Sequence, residues 1–297
     1  MRALRLLWLM LCAAMTASCA SSLVPAEGDQ AATTSMTAPV LRVMSYNIRC
    51  GSCENVDDPN HWSRRKSLVA QTIRSVQADL VGLQEAELFQ IGDLIALLPE
   101  YDWMGVGRDD GAEQGEMNAV LVRRAALTIS SHKTLWLSET PERVSRGWDA
   151  ALNRTLSLLQ LRSRSDGREF IFANTHLDHV GQVARRESAR LIDATLQREA
   201  GGLPVVLTGD LNDRPGSLAH RLLTRALTDA AEASLTPPSG GDLTFNGFGS
   251  DLQAGNKIDY VLVDGLTQVL SHRVLSERFE GRYASDHYAL LVEVRLR

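Results

Sequence analysis

The 297-residue sequence has few aromatic residues and no excess of positive charge. Phe, Trp and Tyr make up 5% of the chain, which argues against aromatic hairpins that enter a membrane and against stacking platforms for single-stranded nucleic acid. The formal net charge of −5 gives no general attraction to nucleic acid or to anionic membranes. We therefore expect no stable nucleic-acid partner.

Cysteine is also scarce, with four residues in the whole chain. Cys12 and Cys19 lie in the first twenty residues, whereas Cys50 and Cys53 are three positions apart. In an oxidising compartment the second pair favours a local disulfide, with two free thiols as the alternative. A structural zinc site is the least favoured interpretation, because no further cysteine pair exists to complete four ligands.

Several common catalytic signatures are absent from the sequence. The chain has no glycine-rich P-loop, no Gly-x-Ser-x-Gly nucleophile elbow and no His-Glu-x-x-His zinc helix. The acidic stretch that begins at Asp210 departs from the calcium-loop pattern, because Pro215 stands where that loop needs a different turn. The polar clusters described below are therefore not explained by any of these catalytic or calcium-binding motifs.

The N-terminus has the pattern of a bacterial export signal. Arg2 and Arg5 precede an apolar run of ten residues, which is too short for a permanent membrane-spanning helix. The next four residues, Thr-Ala-Ser-Cys, resemble a lipoprotein box with Cys19 as the lipidated residue, although Leu is usual at its first position. We predict a lipoprotein-type signal peptide over residues 1–19, and hence an exported, membrane-anchored protein facing the periplasm or the cell exterior. Cleavage after Ala20 and plain secretion is the alternative.

The remaining chain predicts a tether followed by one folded domain. Residues 20–38 are rich in Ala, Ser and Thr, which is typical of a flexible tether. Over residues 39–297, strands and helices mix without strict alternation, and several neighbouring strands are spaced as hairpins. A regular barrel or a doubly wound sheet fits this pattern poorly. We predict a monomeric α/β (α+β) domain of two packed mixed β-sheets flanked by helices.

Polar residues cluster where predicted strands end. Five strands end in acids, amides or histidines, and a sixth carries Asp259 in its interior. Buried carboxylates are costly unless they are paired or bound to metal, so strand ends that meet on one side would share a cation and hydrogen bonds. The residues at the five ends are Asn47, Glu85, Thr175, His176, Asp178, His179, Asp210, Asn212, Asp213, Asp286 and His287.

Each of these residues, taken alone, also has a structural interpretation. Glu85 could cap the helix that follows it, Asp259 could pair with an arginine, and His287 could be a satisfied core histidine. Asp210 and Asn212 lie two positions apart, so in an extended strand end both side chains would face the same way. A turn would explain part of that stretch. The separate structural interpretations would all have to hold at once, whereas one shared site explains all of these residues together.

In their order along the chain, the motifs resemble those of the endonuclease/exonuclease/phosphatase superfamily. Single motifs are weak, whereas seven in the same order over residues 41–294 are specific. They are SYN (Asn47), LQE (Glu85), GE (Glu116), NTHLDH (His176 to His179), GDLND (Asp210 to Asp213), IDY (Asp259) and SDH (Asp286 and His287). The resemblance implies a four-layer α/β sandwich and metal-dependent hydrolysis of phosphoesters.

The resemblance also implies roles for individual residues. The metal, Mg²⁺ or alternatively Mn²⁺, would be held by Glu85 and Asn47 with Asp286 nearby, since Mg²⁺ prefers hard oxygen ligands. The phosphate would be bound by Arg154, Asn212, His176 and His179. The catalytic set would be His176, Asp210, Asn212, Asp259, His287 and Glu116.

Within that set, His176 and His287 would form an acid/base pair, and the question of which is the acid and which is the base stays open. His287, held by Asp259, would activate water or hold the phosphate as an imidazolium. His176 would be the acid for the leaving group, steadied by Glu116, while Asp210 would align or deprotonate the water.

The leading hypothesis is an exported, divalent-metal-dependent phosphoesterase that acts by in-line attack of water on a substrate of unknown class. One alternative is a surface lipoprotein that keeps the fold but only binds ligands. Loss of a metal or acid/base residue would mark that class, and none is lost. Another alternative is specialisation as a nuclease or as a sphingomyelinase, which the scarcity of basic and aromatic tracts disfavours.

Overall fold

The structure is a computed structural model that describes residues 38–253 and 255–297. The predicted signal peptide, including Cys19, and all but the last residue of the predicted tether lie outside the described residues. That last residue, Ala38, is already tied to the domain, because its carbonyl accepts a hydrogen bond from Arg295 Nε at 3.0 Å. Within the described ranges, we find no helix that is both long and apolar enough to cross a membrane.

Strands and helices follow one another irregularly along the described chain. The strands are β1 (Leu41–Asn47), β2 (Leu80–Gln84), β3 (Tyr101–Met104), β4 (Val120–Arg123), β5 (Leu127–Trp136), β6 (Thr155–Ser163), β7 (Glu169–His176), β8 (Val205–Asp210), β9 (Thr228–Asp229), β10 (Asp259–Val263), β11 (Thr267–Leu275) and β12 (Ala289–Leu296). The helices are α1 (Trp62–Ser75), α2 (Leu88–Leu97), α3 (Gln182–Ala200), α4 (Leu218–Leu223) and α5 (Ala230–Ala233).

The strands form two mixed sheets of six strands each. The first has the order β11-β12-β1-β2-β4-β3 and the second the order β5-β6-β7-β8-β10-β9. Helices α1 and α2 pack on the outer face of the first sheet, and α3 and α4 pack on that of the second. The predicted architecture of two packed mixed sheets flanked by helices, a four-layer α/β sandwich, is confirmed.

Strand β1 illustrates how both faces of a central strand are covered by apolar residues. Val43 packs between the two sheets, whereas Met44 and Tyr46 point to the opposite face and pack with residues of α1 and α2. Because successive side chains of a strand alternate between its faces, a strand covered on both sides is apolar at nearly every position.

Each sheet contains a parallel pair of strands, and these two pairs position the polar residues. Strands β1 and β2 run parallel with Asn47 opposite Gln84, and β7 and β8 run parallel with His176 opposite Asp210. Strand β10 pairs antiparallel with β8, which places Asp259 opposite Asp210. The polar residues at the ends of these strands therefore meet at one edge of the sandwich.

Directly beneath this edge, hydrogen bonds join the two sheets. Asn174 of the second sheet is fully buried, and its Nδ2 donates to the carbonyl oxygens of Leu83 at 2.7 Å and Ala119 at 3.1 Å. Its Oδ1 accepts from Gln84 Nε2 at 2.7 Å. Its Oδ1 also accepts from Thr208 Oγ1 of the same sheet at 3.0 Å. Because three of its four hydrogen bonds cross the interface, this buried amide fixes the spacing of the sheets, and so of the residues above it.

Two local expectations differ from the structure. The helix predicted from Pro215 begins only at Leu218, because Ser217 accepts the His220 N–H and so acts as its N-cap. The short strand β9 and helix α5 were not predicted, since two and four residues are too few to show a period.

Candidate active site

A cleft of about 380 Å³ opens at the edge where the parallel pairs end. Nine of the predicted site residues line it: Glu85, Glu116, Arg154, His176, His179, Asp210, Asn212, Asp286 and His287. The other two, Asn47 and Asp259, are buried and hydrogen-bonded to residues of the lining. The tertiary structure thus brings the whole predicted set together.

One end of the cleft is built from β1 and β2. Asn47 Nδ2 donates to Glu85 Oε1 and to Asp210 Oδ2, both at 3.0 Å, and so connects the two sheets. Glu85 has a left-handed backbone with φ of 59°, and its Oε2 accepts the Cys50 N–H at 3.2 Å. It does not cap α2, because the N-cap residue is Glu87. Its carboxylate is therefore free to face the cleft, in a backbone conformation that is uncommon for such residues and recurs at functional sites.

The donor atoms at this end fit a divalent cation. Glu85, His176 and Asp210 each present one candidate ligand atom, and these atoms lie within 4.8 Å of one another. Burial, followed by the charge of Asp259, raises the pKa of Asp210 to about 7. Carboxylates crowded in this way gain from a cation between them. Asp286 differs from the expected ligand arrangement, because its Oδ2 is bound by Arg49 Nη1 at 2.6 Å.

His287 forms a buried pair with Asp259. Its Nδ1 lies 2.9 Å from Asp259 Oδ2, and its Nε2 lies 3.8 Å from Asp210 Oδ2. Burial alone lowers the pKa of His287, but the charge and hydrogen bond of Asp259 and the charge of Asp210 outweigh it and raise this pKa well above its usual value. These contacts favour the imidazolium form of His287, in which Nε2 carries a proton and makes no hydrogen bond to a described residue.

His176 has the opposite protonation preference. Burial, followed by the charges of Arg154 and Arg108, holds the pKa of His176 well below its usual value. The Asn212 amide nitrogen lies 2.8 Å from His176 Nε2, a distance that suits donation to a neutral ring. The two histidines are therefore unlike in charge.

The turn after β8 differs from the extended geometry expected from the sequence. Asn212 is in the left-handed region with φ of 47°, and its backbone N–H donates to Asp210 Oδ1 at 2.8 Å. The two side chains reach the same cleft through this Asx-type turn rather than along one face of a strand. Asp213 lies outside the cleft lining and pairs with Arg185 at 3.6 Å.

Glu116 is held by an arginine that the sequence did not indicate. Arg108 Nη1 and Nη2 donate to its two carboxylate oxygens at 2.7 and 2.8 Å, and no hydrogen bond joins Glu116 to His176 within the described chain. Burial and the charge of Glu85 nevertheless raise the pKa of Glu116 to about 7. Glu116 belongs to the cleft, but its direct partner differs from the one expected.

Arg154 is built into the wall of the cleft and keeps one unused donor group. It is 4% exposed; its Nε donates to Asp178 Oδ2 at 3.2 Å, and its Nη2 lies 3.0 Å from His179 Nδ1. Nη1 has no hydrogen-bond partner among the described residues. Asp178 in turn accepts the N–H groups of Ala151, Leu152, Val180 and Gly181, so it positions Arg154 and the surrounding loops.

The local disulfide favoured by the sequence is confirmed, because Cys50 and Cys53 are joined. The sequence did not indicate that both cysteines line the cleft. It also missed Arg49, which lines the cleft, and Phe245, which packs edge-on against His287 with ring centroids 5.0 Å apart. Arg49 and Cys50 had a sequence signal, since they lie within three residues of Asn47 of the SYN motif.

Both the sequence and the fold of this chain are similar to those of known proteins. The model of the Endonuclease/Exonuclease/phosphatase family matches residues 44–287. The solved structure of an endonuclease/exonuclease/phosphatase from Bacteroides vulgatus is 35% identical, with a TM-score of 0.83 over 87% of this chain and 100% of that chain. The mannosyl-6-phosphatase of Bacteroides thetaiotaomicron is 34% identical, with a TM-score of 0.80 over 86% of this chain and 99% of that chain.

A more distant relative shares only part of its length with this chain. Nocturnin of Drosophila melanogaster is 30% identical over 212 residues, which cover 64% of this chain and 30% of the Drosophila protein. The family match, in contrast, spans most of the described domain and contains nearly every residue of the cleft. The chain belongs to the endonuclease/exonuclease/phosphatase family.

Proposed function

We propose that this protein is an exported phosphoesterase that depends on a divalent metal and hydrolyses a P–O bond by in-line attack of water. The observation that carries this proposal is the juxtaposition, in one cleft, of the Glu85, His176 and Asp210 cluster with the Asp259–His287 pair. A protonated imidazole beside a carboxylate and a candidate cation site is the arrangement that phosphoester hydrolysis needs. Mg²⁺ is our candidate ion, with Mn²⁺ as the alternative.

Each residue has a defined task in this mechanism. A cation held by Glu85, Asn47 and Asp210 would neutralise phosphate charge and orient the reacting oxygens. The Asp210 carboxylate accepts a proton from the attacking water as the new P–O bond forms. The bond to the leaving oxygen breaks, and that oxygen takes up a proton from solvent water in the open cleft.

The remaining residues hold the phosphate in place. His287 donates from Nε2 to a non-bridging oxygen, while Asp259 fixes its tautomer and orientation. Asn212 Nδ2 donates to neutral His176 and to the Leu177 carbonyl, so a phosphate oxygen would have to replace one of these acceptors to be bound by Asn212. Arg154 donates from its unpartnered Nη1. Glu116 positions Arg108 and His179 positions Arg154, and neither residue contacts the reacting atoms in this mechanism.

For the substrate, we propose a small phosphorylated molecule ahead of a nucleic acid or a phospholipid. A cleft of about 380 Å³ lies near the lower end of the range for small-molecule sites. A relative 34% identical is named a mannosyl-6-phosphatase, which favours a phosphorylated sugar as one member of this class. Ligand binding without turnover is the competing function, and it predicts the same fold without hydrolysis.

A substrate panel tests the function directly. We expect release of phosphate from sugar phosphates such as mannose 6-phosphate in the presence of Mg²⁺, and none when a chelator removes the ion. The panel should also contain inositol phosphates, a generic phosphodiester, DNA, RNA and sphingomyelin, with His287→Ala as the blank. Hydrolysis that persists in the chelator would reject metal dependence, and binding of substrates without any turnover would favour the non-catalytic alternative.

We further propose that the mature protein is a monomer anchored through a lipid on Cys19. Mass spectrometry of the protein isolated from its native membrane should then find a lipidated N-terminal cysteine. An unmodified N-terminus at Ser21 would instead establish plain secretion after cleavage at Ala20.

A further inference from the structure

We propose that Arg49 is a second phosphate-binding arginine, used together with Arg154, and that this pair selects phosphate monoesters over diesters. The inference rests on the proposed function and assigns a substrate class to the same cleft. The two arginines approach from different sheets, since Arg49 follows β1 and Arg154 directly precedes β6. Both line the cleft.

The backbone of Arg49 is held in a conformation that aims its side chain into the cleft. Its φ is 58°, in the left-handed region that non-glycine residues seldom occupy. Its N–H donates to Asn47 Oδ1 at 3.0 Å, and its carbonyl accepts from Gln90 Nε2 at 2.9 Å and Arg65 Nη2 at 3.0 Å. Such a conformation persists only where surrounding contacts determine it, and it is common at ligand sites.

The side chain of Arg49 uses little of its hydrogen-bonding capacity. It makes one hydrogen bond within the described chain, from Nη1 to Asp286, and its Nε lies 3.5 Å from Glu54 Oε1, whereas Nη2 makes no hydrogen bond to a described residue. The guanidinium lies 5.6 Å from the centre of the Phe248 ring, and a third of the side chain is exposed. A guanidinium has five N–H groups, so most of those of Arg49 remain available to a ligand.

The neighbouring Arg65 shows what a purely structural arginine looks like in the same region. It is fully buried and makes six hydrogen bonds, to Glu54 and to the carbonyl oxygens of nearby loops. Arg65 therefore has no capacity left for a ligand. Arg49, two residues after the end of β1, is partly exposed and only partly hydrogen-bonded, which is the state expected of a ligand-binding arginine.

The number and charge of the free donors indicate the substrate class. Arg49 and Arg154 both line the cleft, and each keeps guanidinium N–H groups that no described residue accepts. A phosphate monoester offers three non-bridging oxygens and up to two negative charges, whereas a diester offers two oxygens and one charge. Planar guanidinium groups bind such oxygens in pairs, so two arginines are better satisfied by the monoester.

Binding of inorganic phosphate to the full protein, measured by isothermal titration calorimetry with Mg²⁺ present, tests the contact without turnover. We expect Arg49→Met to weaken phosphate binding about 10- to 100-fold, the loss expected for charge-assisted hydrogen bonds. It should lower kcat/KM for a monoester by a similar factor, and for a diester by much less. Arg64→Met, which removes an exposed arginine of α1 outside the cleft lining, is the matched control and should change neither.

Mn²⁺ binding, followed by electron paramagnetic resonance, separates the proposal from a structural role. Arg49→Met should leave Mn²⁺ affinity unchanged. Unchanged phosphate affinity, or a loss confined to Mn²⁺ affinity, would overturn the proposal and make Arg49 a positioning residue for Asp286. If the unaltered protein binds Mn²⁺ but neither binds phosphate nor hydrolyses any ester, the proposed function itself fails, and this inference fails with it.

Discussion

Replacing His287 by alanine is expected to lower kcat/KM for the hydrolysed phosphoester by about 10²- to 10³-fold, the usual loss when a hydrogen-bond donor to the developing charge of the reacting group is removed. The effect is large because the variant removes the positive charge that faces Asp210 and the phosphate. It also leaves Asp259 as a buried carboxylate without its partner at 2.9 Å. Steady-state kinetics on the best substrate of the panel provides the measurement.

Two further variants separate chemistry from folding in this experiment. His287→Gln can still donate a hydrogen bond to Asp259 but cannot carry a positive charge, so it should fold well and remain nearly inactive. His132→Ala removes an exposed histidine of β5 and should retain full activity. Near-normal turnover by folded His287→Gln would reject the assigned role of His287.

Replacing Glu85 by glutamine is expected to weaken divalent-metal binding by at least about 100-fold, since loss of groups that only support a metal ligand already costs 10- to 100-fold. Glutamine keeps the shape of the side chain and one oxygen acceptor for the Cys50 N–H, so the change removes the negative charge and the hydrogen bond that Glu85 Oε1 accepts from Asn47 Nδ2. Direct Mn²⁺ titration and the Mg²⁺ concentration for half-maximal activity should shift together. Activity at saturating Mg²⁺ should be partly restored.

The chain offers a closely matched control for this variant two residues away. Glu87 is also an acidic residue after β2, but it caps α2, accepts the Ser52 N–H at 2.7 Å and does not line the cleft. Glu87→Gln should therefore leave Mn²⁺ affinity unchanged. If Glu85→Gln bound Mn²⁺ as tightly as the unaltered protein, the metal end of the cleft would have to be placed elsewhere.

Much of the fold was accessible from sequence because its signals are local. The sequence predicts a strand over Thr267–Leu275 and helices over Trp62–Val76 and Gly181–Glu199. The strand has these bounds, α1 ends one residue earlier, and α3 begins and ends one residue later. Their periodicity extends over nine or more residues, which is long enough to be read without tertiary information. The elements that were missed or shortened are short ones, where caps and neighbouring strands decide the boundaries.

The partners of the site residues could not be read in the same way. Glu116 was expected beside His176 but is bound to Arg108, and Asp286 was expected near the metal but is bound to Arg49. Residue type indicates which chemistry a side chain can perform. The partner that a side chain contacts depends on the conformation of loops, and loops have no periodic sequence pattern from which that conformation could be predicted.

Local pattern alone therefore specified the two-sheet core and the set of polar strand ends in this protein. The alternation of side chains and the length of apolar runs indicate which residues are buried. A carboxylate at the end of a buried strand needs a hydrogen-bond partner or a cation, whatever the rest of the fold is. Only the tertiary structure decided that Asn47 bonds to Asp210, 163 positions away, and the contact of Asp259 with His287 was expected from the family resemblance rather than from any local pattern. Those contacts depend on the register of the β1–β2, β7–β8 and β8–β10 pairs, and register is a property of packed sheets rather than of any one segment.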